Sequence, residues 1–251
     1  MHVFPVIPLG PFNIDLSTLI ALVVSVIVTF LIAKLAVRNL SVDNPSKMQN
    51  FMEWVVEFVH SFIASTMPLN RVKPFLSLGL TLIMFIFISN VLGLPFGIVT
   101  EPHHAMPSIG FTEEMLEEHK EVAWWKSPTA DISVTAGLAL IVFVIIHFLG
   151  LKQNRKHYLK HYLHPFPVFL PVNLLETIAK PVTLALRLFA NIFAGEVLIA
   201  TILMLGWIGT PFLVAWQGFS LFVGGIQAFL FTILTMVYIS QSAIHDEEEA
   251  H

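Results

Sequence analysis

Long apolar runs separated by short polar segments dominate the pattern along this chain. A helix needs about 20 predominantly apolar residues to cross the hydrocarbon core of a bilayer. Five runs meet that requirement and predict membrane-spanning helices over residues 16–36, 75–99, 132–151, 172–205 and 212–244. The expected fold class is therefore an all-α polytopic membrane protein, with about five membrane helices in a single membrane domain, 1–251.

The last two apolar runs are longer than an upright span requires. A helix of about 34 residues is about 51 Å long, whereas the hydrocarbon core is about 30 Å thick. Residues 206–211, with the sequence GWIGTP, carry turn chemistry between the two runs. The pattern therefore predicts a hairpin of two long, steeply inclined helices over 172–205 and 212–244.

The segment 45–66 repeats apolar residues with helical spacing and polar residues between them. Its apolar face consists of Met48, Phe51, Met52, Val55, Val59, Phe62 and Ile63. Ser46 followed by Gln49 is a capping-box pattern for a helix N-terminus. We expect an amphipathic interfacial helix that either lies on the inner membrane surface or packs against the protein's own spans.

Composition and loop charge support a membrane protein and give it an orientation. Of the 251 residues, 56% are hydrophobic and 12% are charged, whereas soluble domains carry about 25% charged residues. The sequence has no cysteine, which excludes disulfides and thiol catalysis. Lys and Arg concentrate in 34–74 and 152–171, and acids in 100–131. Basic loops are usually cytoplasmic, so we expect 100–131 and the N-terminus to be external and the C-terminus to be cytoplasmic.

Arg187 is a permanent charge in the middle of an apolar run. Such a residue costs about 2.5–3.5 kcal/mol at a membrane-helix centre, which points to an ion pathway or a counter-ion. On a helical wheel, Glu176, Lys180 and Asn191 share its stripe, whereas Glu196 falls on the opposite face. Glu176 and Lys180, four residues apart, are equally well explained as a simple ion pair.

The next apolar run carries a polar stripe of its own. Its members, which share one helical face, are Gln217, Ser220, Gln227, Tyr238 and Gln241. Polar groups in a membrane require partners or water, so two such stripes are suited to line a hydrated path. Gln227 is also well explained as a hydrogen-bonding contact between helices.

Four segments resemble the a subunit of bacterial F-type ATP synthases. They are the block from Arg187 to Glu196 (RLFANIFAGE), Gln227 with the following AFLF, Asn90 with VLGLP, and Pro128 to Asp131 (PTAD). The resemblance covers most of the chain, from about Met48 to Ser242. Spacing and composition alone do not name such a complex.

The resemblance implies a proton-channel stator subunit that couples proton flow to ATP synthesis in a bacterial plasma membrane. The implied partners are the rotating c-subunit ring, the b subunits of the peripheral stalk, the remainder of the F1Fo complex and membrane lipid. Neither a cofactor nor a metal nor a nucleic-acid partner is expected. The chain lacks a P-loop of the GxxxxGK[ST] type, so it is not expected to catalyse nucleotide chemistry itself.

The resemblance also assigns roles to single residues. Arg187 matches the essential arginine that faces the ring and separates two aqueous half-channels. Glu196 matches the acid of the outer half-channel, and Asn191 and Gln227 lie near the same route. Asn90 and Asp131 match polar positions at its outer mouth.

Three positions qualify this assignment. Ser220 stands where some family members have an ionisable residue, and Gly93 where some have an acid, so the entrance is expected to be lined differently. Lys180, on the stripe with Glu176, lies where the exit path is implied, and its charge is expected to tune proton release there. The main alternative function is an independent secondary transporter that binds an anionic substrate through Arg187.

Overall fold

The computed structural model describes residues 4–9, 12–93, 99–100, 104, 106–107, 110–113, 122–161 and 166–243. The helices are α1 (Leu16–Ala36), α2 (Lys47–Ala64), α3 (Leu69–Gly93), α4 (Ile132–His161), α5 (Leu170–Leu203) and α6 (Thr210–Ala243). The strands are β1 (Val6–Leu9), β2 (Phe12–Asp15), β3 (Val99–Thr100) and β4 (Val122–Ala123). Five of the described helices, all except α2, are long and apolar enough to cross a membrane. The prediction of an all-α polytopic membrane protein is confirmed.

The helix boundaries follow the apolar runs, with errors at both ends of α3 and at the C-terminal end of α4. The predicted range of 75–99 for α3 is wrong at both ends, because the helix begins at Leu69 and Val99 pairs with Ala123 in a strand. A helix extends beyond the apolar segment when its polar turns reach water, and α3 continues through Pro74 with the loss of one backbone hydrogen bond. It ends at Gly93, two residues before Pro95, and a proline disfavours helical backbone in the residue before it.

The other spans differ less from the predicted ranges. Helix α1 has the predicted bounds, and α4 continues for ten residues past 151 into the basic segment. Helices α5 and α6 each have 34 residues. A steep inclination of these two helices in the bilayer remains a prediction. The acidic residues near the C-terminus, Asp246 to Glu249, lie outside the described residues, as does all of 114–121.

The chain divides into two compact units. The first contains residues 1–32, 85–131 and 192–225, and the second contains 33–84, 132–191 and 226–251. The single membrane domain over 1–251 stays a prediction. Segments of α5 and α6 contribute to both units, and in each unit the two helices contact one another. In the first unit the indole Nε1 of Trp216 donates to the carbonyl of Gly195 at 3.3 Å; in the second, the Lys180 ammonium lies 5.3 Å from the Tyr238 ring centroid.

In the second unit, α2 packs against the protein's own spans. The predicted cap is present, because the Ser46 hydroxyl accepts a hydrogen bond from the Gln49 backbone N–H at 3.1 Å. The Phe62 ring lies 5.4 Å from that of Phe229 on α6, edge to face. A Cβ atom at Gly79 of α3 would lie only 2.9 Å from Ile63 Cδ1, so the glycine permits the close approach of α2 to α3. Of the two alternatives for this helix, packing against the spans is confirmed.

The first unit has two short antiparallel strand pairs beside its helices. Strands β1 and β2 pair from Val6 opposite Asp15 to Leu9 opposite Phe12. Asp15 then begins α1, because its carboxylate accepts hydrogen bonds from the Ser17 hydroxyl at 2.6 Å and the Thr18 backbone N–H at 3.2 Å. A side-chain oxygen before the first turn satisfies donors that have no partner within the helix. The N-terminal strands thereby lead into the first span at a fixed position.

Candidate functional site

A chain of hydrogen bonds in the first unit connects two of the predicted site residues. Asn90 is 2% exposed, and its amide Nδ2 donates to the Gly224 carbonyl of α6 at 3.0 Å. Its Oδ1 accepts from the Thr129 hydroxyl at 2.6 Å, and the hydroxyls of Thr129 and Ser127 lie 2.8 Å apart. The Ser127 backbone N–H donates to Oε1 of Glu196 at 3.1 Å. Asn90 and Glu196 therefore belong to one polar network, which Ser127 and Thr129 link.

The direction of the hydroxyl bonds follows from the number of hydrogens. Thr129 donates its only hydroxyl hydrogen to Asn90, so it accepts from Ser127. The Ser127 hydroxyl also lies 3.2 Å from the carbonyl oxygen of Ser89, and that oxygen competes for the same hydrogen. The side chains of Ser127 and Thr129 are buried, so these contacts replace hydration. Rotation of the Ser127 hydroxyl therefore switches its hydrogen bond between Thr129 and the Ser89 carbonyl.

Small residues allow the elements of this network to approach one another. A Cβ atom at Gly93 would overlap with Cα, Cβ and Oγ of Ser127. A Cβ at Gly224 would lie 3.2 Å from Cβ of Asn90. Such positions accept a side chain only if the neighbouring segment moves. The glycine at 93, noted as a departure from an acid found in some family members, is therefore explained by the position of Ser127.

An ammonium group bridges two carboxylates next to the network. Lys126 Nζ lies 2.6 Å from Oδ2 of Asp15 and 2.9 Å from Oδ2 of Asp131. The Thr18 hydroxyl donates to the same Asp131 oxygen at 3.2 Å, and the Phe4 ring centroid lies 4.4 Å from the ammonium. We call Lys126, Asp15 and Asp131 the Lys126 clamp. It joins the cap of α1 to the segment 126–131 of the same unit.

The clamp shifts the protonation of its members toward the charged forms. Burial lowers the pKa of the Lys126 ammonium, but the hydrogen bonds and charges of Asp15 and Asp131 outweigh it, so the pKa lies above its ordinary value. Burial raises the pKa of the Asp15 carboxyl, and hydrogen bonds from Lys126 and Ser17 outweigh this effect and hold the pKa below its ordinary value. Both groups are therefore charged at neutral pH.

Arg187, in the second unit, lies on an uncovered part of α5. Its side chain is exposed and makes no hydrogen bond or ion pair with any residue that the structure describes. In the most apolar stretch of α5 only 6% of the residues are buried, against 22% to 44% in the other four spans. Asn191, one turn further, is half-buried. The chain itself therefore provides no described counter-ion for this arginine.

Lys180 and Glu176 form the i,i+4 ion pair that their spacing predicts. Nζ of Lys180 lies 3.0 Å from Oε1 of Glu176, and their side chains are 31% and 62% exposed. The same ammonium lies over the ring of Tyr238. An exposed pair of this kind contributes about 0.3–0.5 kcal/mol to stability. These contacts fix the position of Lys180. They are compatible both with a simple ion pair and with a charge that tunes proton release.

The two remaining predicted residues lie on α6. Gln227 is 4% exposed, and its amide Nε2 has no hydrogen-bond partner among the described residues. An unpaired buried donor costs about 1–3 kcal/mol unless water or another group satisfies it. Ser220 is half-buried, and no described residue hydrogen-bonds to its side chain.

The sequence analysis missed four residues of the first unit: Asp15, Lys126, Ser127 and Thr129. Asp15 has a recognisable signal, because an aspartate before an apolar run with Thr18 three residues on is an N-cap pattern. Lys126 is one of two lysines in the acidic segment 100–131, where it stands out by its sign. Ser127 carries no such signal, because it contacts Glu196 through its backbone.

Five described helices that are long and apolar enough to cross a membrane, several of which carry charged or buried polar residues, define a multi-pass membrane protein. A model of the family ATP synthase A chain matches residues 17–240. The chain is 43% identical over 262 residues to ATP synthase subunit a of Bacillus velezensis, covering 98% of this chain and 99% of that relative. It is 44% identical over 249 residues to ATP synthase subunit a of Bacillus subtilis, covering 92% and 93%. The chain belongs to the ATP synthase A chain family, as the resemblance indicated.

Proposed function

We propose that this chain is the proton-conducting stator subunit of a bacterial F-type ATP synthase, coupling proton flow to ATP synthesis beside a rotating ring of c subunits. The observation that carries the proposal is Arg187: an exposed permanent charge, without a hydrogen-bond or ion-pair partner among the described residues, on the least covered of the candidate spans. A charge inside a membrane requires a partner. Carboxylates of the ring supply one, and α5 provides a free face for the ring to pass.

The arginine acts by electrostatics in this proposal. When a ring carboxylate reaches Arg187, the fixed positive charge favours the ionised form and releases its proton. Because a guanidinium does not lose its proton, Arg187 also blocks direct proton transfer between the two half-channels. Each proton that crosses the membrane supplies about 2.3 kcal/mol per 100 mV of membrane potential.

The outer half-channel is assigned to Glu196, with Asn90 and Asp131 toward its mouth. Its support is the hydrogen-bonded chain from Asn90 through Thr129 and Ser127 to Glu196, which places buried polar side chains beside the Glu196 carboxylate. Sequence matching to the family adds three residues to the route: Asn191, Ser220 and Gln227. Nε2 of Gln227, which has no hydrogen-bond partner among the described residues, is suited to hydrogen-bond a water molecule.

The inner half-channel is assigned to the stripe that carries Lys180 and Glu176. The ion pair between them leaves both groups partly exposed, so they remain accessible to a proton that leaves a ring carboxylate on the cytoplasmic side of Arg187. The charge bias of the loops supports an external N-terminus and a cytoplasmic C-terminus. The b subunits and the remainder of the F1Fo complex hold the chain against the torque of the ring.

The experiment that tests this function is ATP-driven acidification of inverted membrane vesicles, comparing wild type with Arg187→Ala. Loss of acidification in the variant, with the complex fully assembled by subunit quantification, is the expected result. Arg71→Ala is the matched control, because it removes an exposed arginine outside the proposed route, and it is expected to pump normally. Normal pumping by Arg187→Ala would remove the arginine from the mechanism.

A further inference from the structure

We propose that Ser127 is a positioning residue for Glu196, acting through its backbone N–H, and that the Lys126 clamp and Gly93 fix its position. The inference rests on the proposed function in one respect, the role of Glu196 in proton transfer. It assigns a further role to three residues that sequence matching left unassigned, Lys126, Ser127 and Gly93.

The direction of the Ser127 N–H is fixed by the residues that follow it. Ser127 has φ −60° and ψ 130°, which is the extended conformation that a following proline, here Pro128, favours. The Ala130 N–H donates to the Ser127 carbonyl at 3.0 Å and closes a tight turn. The N–H therefore points away from this turn, and it meets Oε1 of Glu196 at 3.1 Å.

The Lys126 clamp closes the same segment at both ends. Lys126 precedes Ser127, and Asp131 follows the turn. The 2.9 Å contact between the Lys126 and Asp131 side chains therefore connects the two ends of residues 126–131. The contact of Lys126 with Asp15 connects this segment to the cap of α1. The side chains of the two clamp partners, Lys126 and Asp131, are only 12% and 17% exposed, so water screens their contact weakly.

Gly93 supplies the space that this position of Ser127 requires. Any side chain at 93 overlaps with Cα, Cβ and Oγ of Ser127, and the overlap includes backbone, so the segment itself has to shift. A shift of the Ser127 backbone lengthens its hydrogen bond to Glu196. Interactions of this kind weaken steeply as the distance and angle depart from ideal values.

The contact with Ser127 makes the two oxygens of the Glu196 carboxylate unequal. Oε1 accepts the Ser127 N–H, whereas no described residue donates to Oε2. A carboxylate held at one oxygen keeps a single orientation and presents the other oxygen for proton exchange. Efficient proton transfer depends on such placement, because donor and acceptor must come within hydrogen-bond reach.

The test compares Ser127→Pro with Ser127→Ala in assembled complexes in inverted vesicles. Proline matches the φ of −60° but removes the N–H and puts a ring carbon where Oε1 approaches. Alanine loses the same hydroxyl and keeps the N–H. ATP-driven pumping per assembled complex is expected to be at least about tenfold lower for Ser127→Pro than for Ser127→Ala, which corresponds to about 1.4 kcal/mol. Glu196→Gln, measured alongside, is expected to lose pumping.

The outcomes separate this inference from the proposed function. If Glu196→Gln loses pumping but the proline and alanine variants pump equally, the role of Ser127 is refuted and the role of Glu196 stands. If Glu196→Gln pumps normally, the assignment of Glu196 in the proposed function is refuted, and the inference falls with it. Only loss in Glu196→Gln together with the proline–alanine difference supports both.

A second pair of variants decides the question if Ser127→Pro does not assemble. Gly93→Ala adds a methyl group against Ser127, whereas Gly137→Ala on α4 adds one with nothing within 4 Å. Gly93→Ala is expected to lower pumping per complex at least about tenfold, and Gly137→Ala to pump like wild type. Lys126→Arg is expected to keep the pumping that Lys126→Met loses, because it restores the clamp's charge. Wild-type pumping by Gly93→Ala and Lys126→Met would overturn the inference.

Discussion

Replacing Lys126 by methionine tests how strongly the Lys126 clamp stabilises the first unit. The substitution keeps most of the side-chain length and removes the charge that Asp15 and Asp131 share at 2.6 Å and 2.9 Å. The side chains of Lys126, Asp15 and Asp131 are 12%, 20% and 17% exposed. Exposed ion pairs contribute about 0–1 kcal/mol, whereas removing one partner of a buried pair costs about 3–5 kcal/mol. Since the groups are nearer the buried limit, the free energy of unfolding is expected to fall by about 2–4 kcal/mol.

Trp124 and Trp125, two of the chain's five tryptophans, contribute to the fluorescence signal of this measurement. Trp125 donates to the Leu92 carbonyl at 2.9 Å, and Trp124 to the Thr100 hydroxyl at 2.7 Å, so both report on the segment that contains Lys126. Thermal unfolding of the purified chain in detergent is followed by tryptophan fluorescence. For a chain of this size a loss of 1 kcal/mol lowers Tm by about 2–4 °C, so Lys126→Met is expected to lower it by about 4–16 °C.

Two further variants show whether the charge contact is the cause. Lys73→Met makes the same chemical change at an exposed lysine and is expected to leave Tm within about 2 °C of wild type. Asp15→Asn keeps the capping oxygen of α1 but removes one of the two carboxylate charges that contact Lys126, so combining it with Lys126→Met is expected to cost less than the sum of the single changes. An unfolding midpoint for Lys126→Met equal to that of Lys73→Met would refute the reasoning.

Two other predictions concern the same unit. The difference in stability between wild type and Lys126→Met is expected to be constant from about pH 5 to pH 9. The pKa of Lys126 is raised, so its contribution to stability is lost as the pH rises through the pKa of the folded state. The pKa of Asp15 is lowered, so its contribution to stability is lost as the pH falls through the pKa of the folded state. Thermal unfolding across pH measures this, and a difference that changes near pH 7 would contradict it. Asn90→Leu is expected to cost about 2–4 kcal/mol, because the Thr129 hydroxyl and the Gly224 carbonyl lose buried partners; unchanged urea unfolding would contradict that.

The sequence predicts the helices well because a helix that crosses a membrane must consist mainly of apolar residues. Apolar runs locate every span, and the Ser46 cap and the Glu176–Lys180 pair follow from spacing within one helix. The end of α3 at Gly93 is harder to predict, because the apolar residues continue to Val99, whereas the helix ends at Gly93 and Val99 lies in a strand.

The sequence pattern does not predict contacts between segments that are far apart along the chain. Ser127 and Glu196 are 69 positions apart, and one of the two interacting groups is a backbone N–H, which every residue except proline possesses. Gly93 is likewise explained only when the Ser127 backbone is seen beside it. For α2, the amphipathic pattern predicts a buried face equally well for a membrane surface and for neighbouring helices, and only the contacts of Phe62 and Ile63 distinguish them.

The most direct test of the proposed function is whether the chain conducts protons alone or only beside its ring. Purified chain is reconstituted into potassium-loaded vesicles, and valinomycin imposes a membrane potential while an internal dye reports the pH. The same measurement is made with the assembled membrane sector, in wild type and with Arg187→Ala. The stator account predicts proton flux through the assembled wild-type sector and none through the chain alone. Flux or anion-coupled transport by the chain alone would contradict it and favour the independent transporter.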